Sequence, residues 1–441
     1  MKNMKKVIVA LLALTMVGSL MVGCGAKKGS DSGSEKGGKA EIRFSWWGND
    51  DRHKATQDMI DNFEAENPDI TVKGEPSGFG DLEQKITTQI AGGTEADVMT
   101  LLYDWIPKFS SDGTGFYDLS KIEDLDLSTY DPEFLKFGQS NGIQNAVPLG
   151  KNVTGIYLNK SAFDRVGAEI PTTWDEYKEA AKKFPDGTFL VVCPTPRFAA
   201  TLYLNQKTGL PEFDEKGELN YSEADYLEAM TWYKDLVDAK VFCSRQDYLE
   251  NVGTEPVSIA QNKKFIEGGY VGVMEWTGGI ASNEATLKEA GDELIVAPLP
   301  VIDGAKGAYT IAKPTMLLGI KKSEKNPEAA GKFLNDFCNG TKANEILGVT
   351  RGIPESTDAV AAVEAKGLIT GAVKAGYEFA KEAEVINETP FYENGTLTAI
   401  YSQQMENVEL GQSDLKTAAK ELYNQTKDEA ANLAVSYKLA K

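Results

Sequence analysis

From residue 41 onward the apolar positions follow two clear periods. In 41–47, Ile42, Phe44 and Trp46 alternate with Arg43, Ser45 and Trp47, a period of two that predicts a strand. Gly48-Asn49-Asp50-Asp51 reads as a turn, and Ala55, Met59, Ile60 and Phe63 then share one side of a helix that Asn67-Pro68 ends. Ile70 and Val72 alternate in a second strand. Asp81 suits the cap of a helix in which Leu82, Ile86 and Ile90 recur every four residues, and Gly92-Gly93 closes it. Residues 97–102, DVMTLL, form a short, nearly continuous apolar run, as expected of a strand buried on both faces. This β-α-β-α-β order predicts a parallel sheet with helices on both sides. Ligands bind beyond the carboxyl ends of such strands. Those ends carry Trp47 to Arg52 and Tyr103-Asp104-Trp105.

A second unit begins near Lys151 with a strand over 153–158. Thr173 and Glu176 fit a capping box, and Tyr177, Ala180, Ala181 and Phe184 continue that helix's apolar face. Residues 189–193, 270–276 and 294–297 read as strands. Asn326 and Pro327 suit the cap and first position of a helix bearing Ala330, Phe333, Leu334 and Phe337. From about Leu415 the chain is helical. It shows no repeat at solenoid periods.

A chain of 441 residues has room for two or three domains. With 41% hydrophobic and 25% charged residues it has the composition of a folded protein. Lys and Arg total 46 against 66 Asp and Glu, a net charge of −20. That balance argues against nucleic acid as a partner and against broad adhesion to anionic lipid. The one histidine, His53, excludes a zinc site built on several histidines, and a Ser-His-Asp triad unless His53 itself serves it. Cys24, Cys193, Cys243 and Cys338 form no CxxC pair.

Lys2, Lys5 and Lys6 precede the uncharged run VIVALLALTMVGSLMVG, the layout of a secretory signal. At 17 residues the run is marginal for crossing ~30 Å of hydrocarbon, and a short membrane anchor is the competing reading. Met21-Val22-Gly23-Cys24 resembles the bacterial lipobox, with Met21 where Leu is usual. Residues 1–23 are then a lipoprotein signal peptide. Cys24 carries lipid on the outer face of the cell membrane, and two or three acyl chains anchor firmly. Residues 24–40 add a Gly- and Ser-rich tether with a reach of roughly 20 Å.

The strongest longer pattern is 147–184, VPLGKNVTGIYLNKSAFDRVGAEIPTTWDEYKEAAKKF. It resembles the crossover segment of extracellular solute-binding proteins of bacterial ABC importers, in the group of maltose- and oligosaccharide-binding proteins. Asn67-Pro68-Asp69, Ala91-Gly92-Gly93 before Asp97-Val98, Ala297-Pro298-Leu299-Pro300 and Arg351-Gly352-Ile353-Pro354 also fit. The resemblance implies an α/β, two-lobe fold of the periplasmic-binding-protein type (type II), each lobe a sheet flanked by helices. Lobe one would be 41–150 plus 298–348, and lobe two 151–297 plus 349–441. Pro148 to Asn152 and Ala297 to Pro300 would be the hinge strands. It implies a monomer that binds a sugar without catalysis and without cofactor or metal, and that delivers it to a separate permease and ATPase. The membrane is met only through the lipid.

A sugar offers apolar C–H faces and a rim of hydroxyls, which suits aromatic plates beside planar polar groups. The ligand-binding candidates are Trp47, Asn49, Asp50, Phe79, Tyr103, Asp104, Asn152, Arg197, Trp276, Tyr309 and Arg351. By the resemblance, Trp47 lies at the cleft, Asp104 holds the family's contacting carboxylate, Trp276 matches an aromatic that stacks on sugar, and Arg351 a recurring lobe-two contact. The bland readings are core packing for the tryptophans and solvated charge for the turn. Arg52 is a weaker candidate in that turn, Trp105, Trp174 and Trp232 read as packing residues, and His53 as inert. Three alternatives stay open. One is a secreted glycoside hydrolase with paired carboxylates. Another is the same scaffold holding a peptide, a polyamine or an acidic sugar, whose carboxylate Lys151, Arg197 and Arg351 would neutralise. The third is a surface adhesin.

Overall fold

The computed structural model describes residues 39–80, 82–253 and 259–438. The expected signal peptide, Cys24, the tether and the Asp81 cap lie outside them. Two main sheets organise the chain, each with helices packed on its faces. The first contains β1 (Ala40–Trp47), β2 (Ile70–Ser77), β3 (Val98–Leu101), β6 (Ala146–Pro148) and β11 (Leu317–Ile320), in the order β2-β1-β3-β11-β6. A small hairpin, β4 (Gln139–Ser140) with β5 (Ile143–Gln144), stands apart. The second sheet contains β7 (Lys151–Asn159), β8 (Gly272–Trp276), β9 (Leu294–Ala297), β10 (Thr310–Pro314) and β12 (Val385–Asn387), in the order β12-β10-β7-β8, with β9 also on β7.

β1 pairs in parallel with both β2 and β3, with helices in the connections between them. Ile42, Phe44 and Trp46 are buried as the alternation predicts, but Ser45 and Trp47 on the other face are buried too, so the end of β1 is covered on both sides; Phe44 stacks on Trp46 with ring centroids 5.1 Å apart. β3 is buried at every position, matching its continuous apolar run. α1 (Asp50–Glu66) starts at Asn49, whose side chain accepts from the Arg52 amide, and buries Met59, Ile60 and Phe63 on the first sheet. The Thr173–Glu176 capping box is present at the helix Trp174–Ala181. The expected strand at 189–193 appears as isolated bridges, Val191 to Phe242 and Val192 to Val273, which widen the second sheet beside β8.

Chain crossings between the two lobes depart from expectation. Pro148 to Lys151 joins β6 to β7. The second crossing is Pro314 to Leu317, between β10 and β11, since β10 hydrogen-bonds to β7 and β11 to β3. Ala297 pairs with Ile156 inside the second sheet, so the 297–300 segment is no hinge strand. The third crossing is 366–370: the helix Thr357–Ala365 packs on first-lobe helices, and the helix Gly371–Glu382 packs on β9. Thus β10, within 298–348, belongs to the second sheet, and 349–365 packs with the first. The two adjoining crossings are laced together, Leu149 N donating to Met316 O at 2.9 Å and Thr315 N to Gly150 O at 2.7 Å. Glycine is needed at Gly150, where a Cβ would lie 2.6 Å from the Ile353 carbonyl, and at Gly352, whose φ is +83°.

Candidate functional site

Two walls face each other across a cavity of about 910 Å³. Tyr103, Phe137 and Gln139 come from the first lobe, and Leu210, Glu388 and Phe391 from the second. A cleft of this size and composition suits a small-molecule ligand of several rings.

On the first lobe, β1 ends at Trp47, which is 6% exposed and packs against Phe79 at 6.0 Å and Trp105 at 6.3 Å. Phe79 is exposed at the lip. Trp105 is fully buried, the packing role expected of it. Tyr103 is half-buried and meets Phe137 edge-on at 5.1 Å. Asp104 is 7% exposed and its Oδ1 has no hydrogen-bond partner. Burial, with help from Glu393 and Glu83, pushes its carboxyl up to about 7. Burial and the facing carboxylates of Glu393 and Glu388 likewise raise the Tyr103 phenol. Glu388, on the second lobe, lines the same cavity as Tyr103.

On the second lobe, Trp276 is half-buried at the end of β8. Phe198 and Tyr392 meet it edge-on at 5.0 and 6.1 Å, and Lys313 Nζ lies 4.8 Å from its ring centroid. Lys313 also pairs with Glu393. Asn152 stands opposite Lys313 in the β7–β10 register, and its Oδ1 accepts from the Gly278 amide at 3.1 Å. Trp276, Lys313, Glu393 and Asn152 therefore form one patch of indole, charge and amide. Glu275 turns away, accepting from Asn283 at 2.6 Å, and burial pushes it up to about 7.

Several expected contacts are placed differently. Arg197 is 1% exposed and its guanidinium is spent: it donates to Glu212 at 2.7 and 3.1 Å and to the Tyr392 carbonyl at 2.9 Å. It props up the ring that backs Trp276 and has no donor left for a solute. Glu212 accepts besides from Tyr226 and Tyr401, and Glu388, held by Asn205, is pushed up to about 7 by burial. Asn49 is committed as the α1 cap, and Asp50 is an exposed first-turn residue. Tyr309 covers Gly209 and Gly307 and is not among the residues lining the cavity. Arg351 belongs to the first lobe, bonded to Thr56 of α1 at 2.6 Å, and is not a second-lobe contact. His53 accepts at Nδ1 from Trp46 Nε1 at 3.1 Å, a structural role. Lys313, Glu393 and Glu388 enter this region from segments that carry no motif.

Among the described residues no group of His, Cys, Asp and Glu is placed to hold a metal, and no helix is long and apolar enough to cross a membrane. Cys193, Cys243 and Cys338 are free thiols in buried positions.

Comparison with known proteins settles the family. Residues 49–344 match the model of the bacterial extracellular solute-binding proteins. The chain belongs to that family. A periplasmic oligogalacturonide binding protein from Yersinia enterocolitica, solved with saturated digalacturonic acid, superposes with a TM-score of 0.82 at 31% identity, over 90% of this chain and 100% of that one. A periplasmic solute binding protein from Pectobacterium atrosepticum gives 0.83 at 29% identity, over 89% and 99%. The multiple sugar-binding protein of Streptococcus mutans is 28% identical over 40% of each chain. Putative binding proteins of Brucella are 26% identical, and the match spans 62% of this chain and 66% of theirs. The two-sheet architecture is thus the fold of the periplasmic solute-binding proteins.

Proposed function

We propose that the chain is a lipid-anchored extracellular receptor that takes an oligosaccharide into the cleft and presents it, unaltered, to a separate permease and ATPase. The observation that carries this is the cavity between the two lobes, with Tyr103 and Phe137 on one wall and Phe391 on the other, together with the patch of Trp276, Lys313 and Glu393 at the end of β8. Aromatic rings of this kind cover sugar C–H faces, while Asn152, Lys313, Glu393 and Asp104 offer polar groups to hydroxyls. A hinge closure would bury the solute and change the outline that a permease meets. The binding family and the sugar named for the Streptococcus relative support a carbohydrate over a peptide. The Yersinia protein's digalacturonic acid favours an acidic sugar over a neutral one. A thermal-shift screen over neutral and acidic oligosaccharides, amino acids and peptides tests the reading. A shift with oligosaccharides, recovered intact, is expected. A shift only with peptides, or cleavage of the sugar, would contradict it.

A further inference from the structure

At the start of α1 two guanidinium groups are packed together without a counter-charge. Arg52, in the first turn, donates through Nε to the Thr350 carbonyl at 3.0 Å and through one terminal nitrogen to the Trp47 carbonyl at 3.4 Å. Arg351, 8% exposed, donates through one terminal nitrogen to Thr56 Oγ1 at 2.6 Å, and Thr56 donates in turn to the Arg52 carbonyl at 2.6 Å. Its Nε and other terminal nitrogen are buried with no partner. Among the described residues no carboxylate forms an ion pair with either arginine. Arg43, Arg165 and Arg197, by contrast, each meet one. Burial pushes Arg52 down to about 10, and burial plus the nearby Arg52 charge lowers Arg351 as well. The N-terminus of α1, 17 residues long, adds its own positive end to the same spot.

Such an arrangement costs folding free energy: charges taken from water want a partner, and like charges repel. The site sits at the carboxyl end of β1, beside Trp47. There the loop carrying Arg351 also meets the second lobe, since a Cβ on Gly352 would lie 3.6 Å from Gly278 Cα. We infer that Arg52 and Arg351 form the subsite for a sugar carboxylate, so that the solute is a uronic-acid oligosaccharide bound with one carboxylate against the two guanidinium groups. This rests on the receptor reading and names the chemistry of its solute. A carboxylate there supplies the missing counter-charge, satisfies the orphan Arg351 donors, and matches the planar fork of arginine. The arginines set specificity by exclusion as well, because a neutral sugar leaves both charges buried and unpaired.

Calorimetric titration of the purified chain with digalacturonic acid, its dimethyl ester, a neutral galactose disaccharide and succinate tests this. The acid is expected to bind at least ten-fold more tightly than the ester. Arg52→Gln and Arg351→Gln should each weaken the acid ten-fold or more while leaving the ester little changed. Should Arg351→Gln fail to fold, Arg52→Gln and the wild-type acid-to-ester ratio still decide. Equal affinity for acid and ester, or wild-type affinity in the folded variants, overturns the assignment. So does succinate binding as tightly as the uronide, which would remove the sugar from the recognition. Tight binding of the neutral disaccharide with none of the acid overturns the assignment and leaves the receptor reading standing. Binding of no carbohydrate at all would overturn both.

Discussion

Trp276 and Trp174 separate two uses of the same side chain. Trp276 is half-buried with Lys313 at its ring. Trp174 is enclosed by Trp232, Tyr177 and Phe242 at 5.1 to 5.8 Å. Trp276→Ala should weaken sugar binding by roughly ten-fold, about 1.4 kcal/mol, with little loss of stability. Trp174→Ala should instead cost roughly 3–5 kcal/mol of stability and leave affinity per folded molecule unchanged. Calorimetry and urea unfolding of both variants distinguish the two. Asp104 carries a pH signature. Its carboxyl, pushed up to about 7, is neutral by preference in the folded state and titrates near 4 when unfolded. Its contribution to stability is therefore fully present below about pH 4 and is lost as the pH rises through 7. Asp104→Asn, always neutral, should raise the melting temperature at pH 8 and change it little at pH 4. An equal effect at both would contradict this. The residues that could be read ahead of the structure were those with a local signature, such as Trp174, a packing residue in the first turn of a capped helix. Arg197 misled because its position after a strand says nothing of Glu212, which folds back to meet it.

At the level of elements, local chemistry made much of the fold legible. The Thr173–Glu176 box, the Pro327 helix start and the continuous apolar run of β3 each act within a few residues, and each is realised. The crossings were less legible. Pro314 to Leu317 is too short to show a period, and only its pairing with strands far off in sequence marks it as a junction. The same holds for Arg52, whose burial depends on the Thr350 loop nearly 300 residues away. The loop's glycine offers a test. Gly352 has φ of +83°, which costs an alanine about 1–2 kcal/mol. Gly352→Ala should lower stability by that amount. Because the loop touches Gly278, it should also weaken ligand binding, measured by parallel denaturation and titration. Unchanged values for both would place the loop outside the hinge.

If Cys24 is the lipid site, Cys24→Ser should move the protein from the membrane fraction to the medium with its affinity for sugar intact, and mass spectrometry of the wild-type N-terminus should show acyl chains. Retention in the membrane would favour an uncleaved apolar segment. A solute that binds only the folded state stabilises it by about 2.7 kcal/mol at a hundred times its dissociation constant. The buried arginine pair is a cost to the empty protein that a carboxylate-bearing ligand would offset.

The most direct test of the central claim is calorimetric titration of the chain with digalacturonic acid, followed by chromatography of the recovered sugar. One saturable site per chain and a disaccharide returned intact are predicted. No heat with this or any other oligosaccharide, or the release of monosaccharide, would contradict the account.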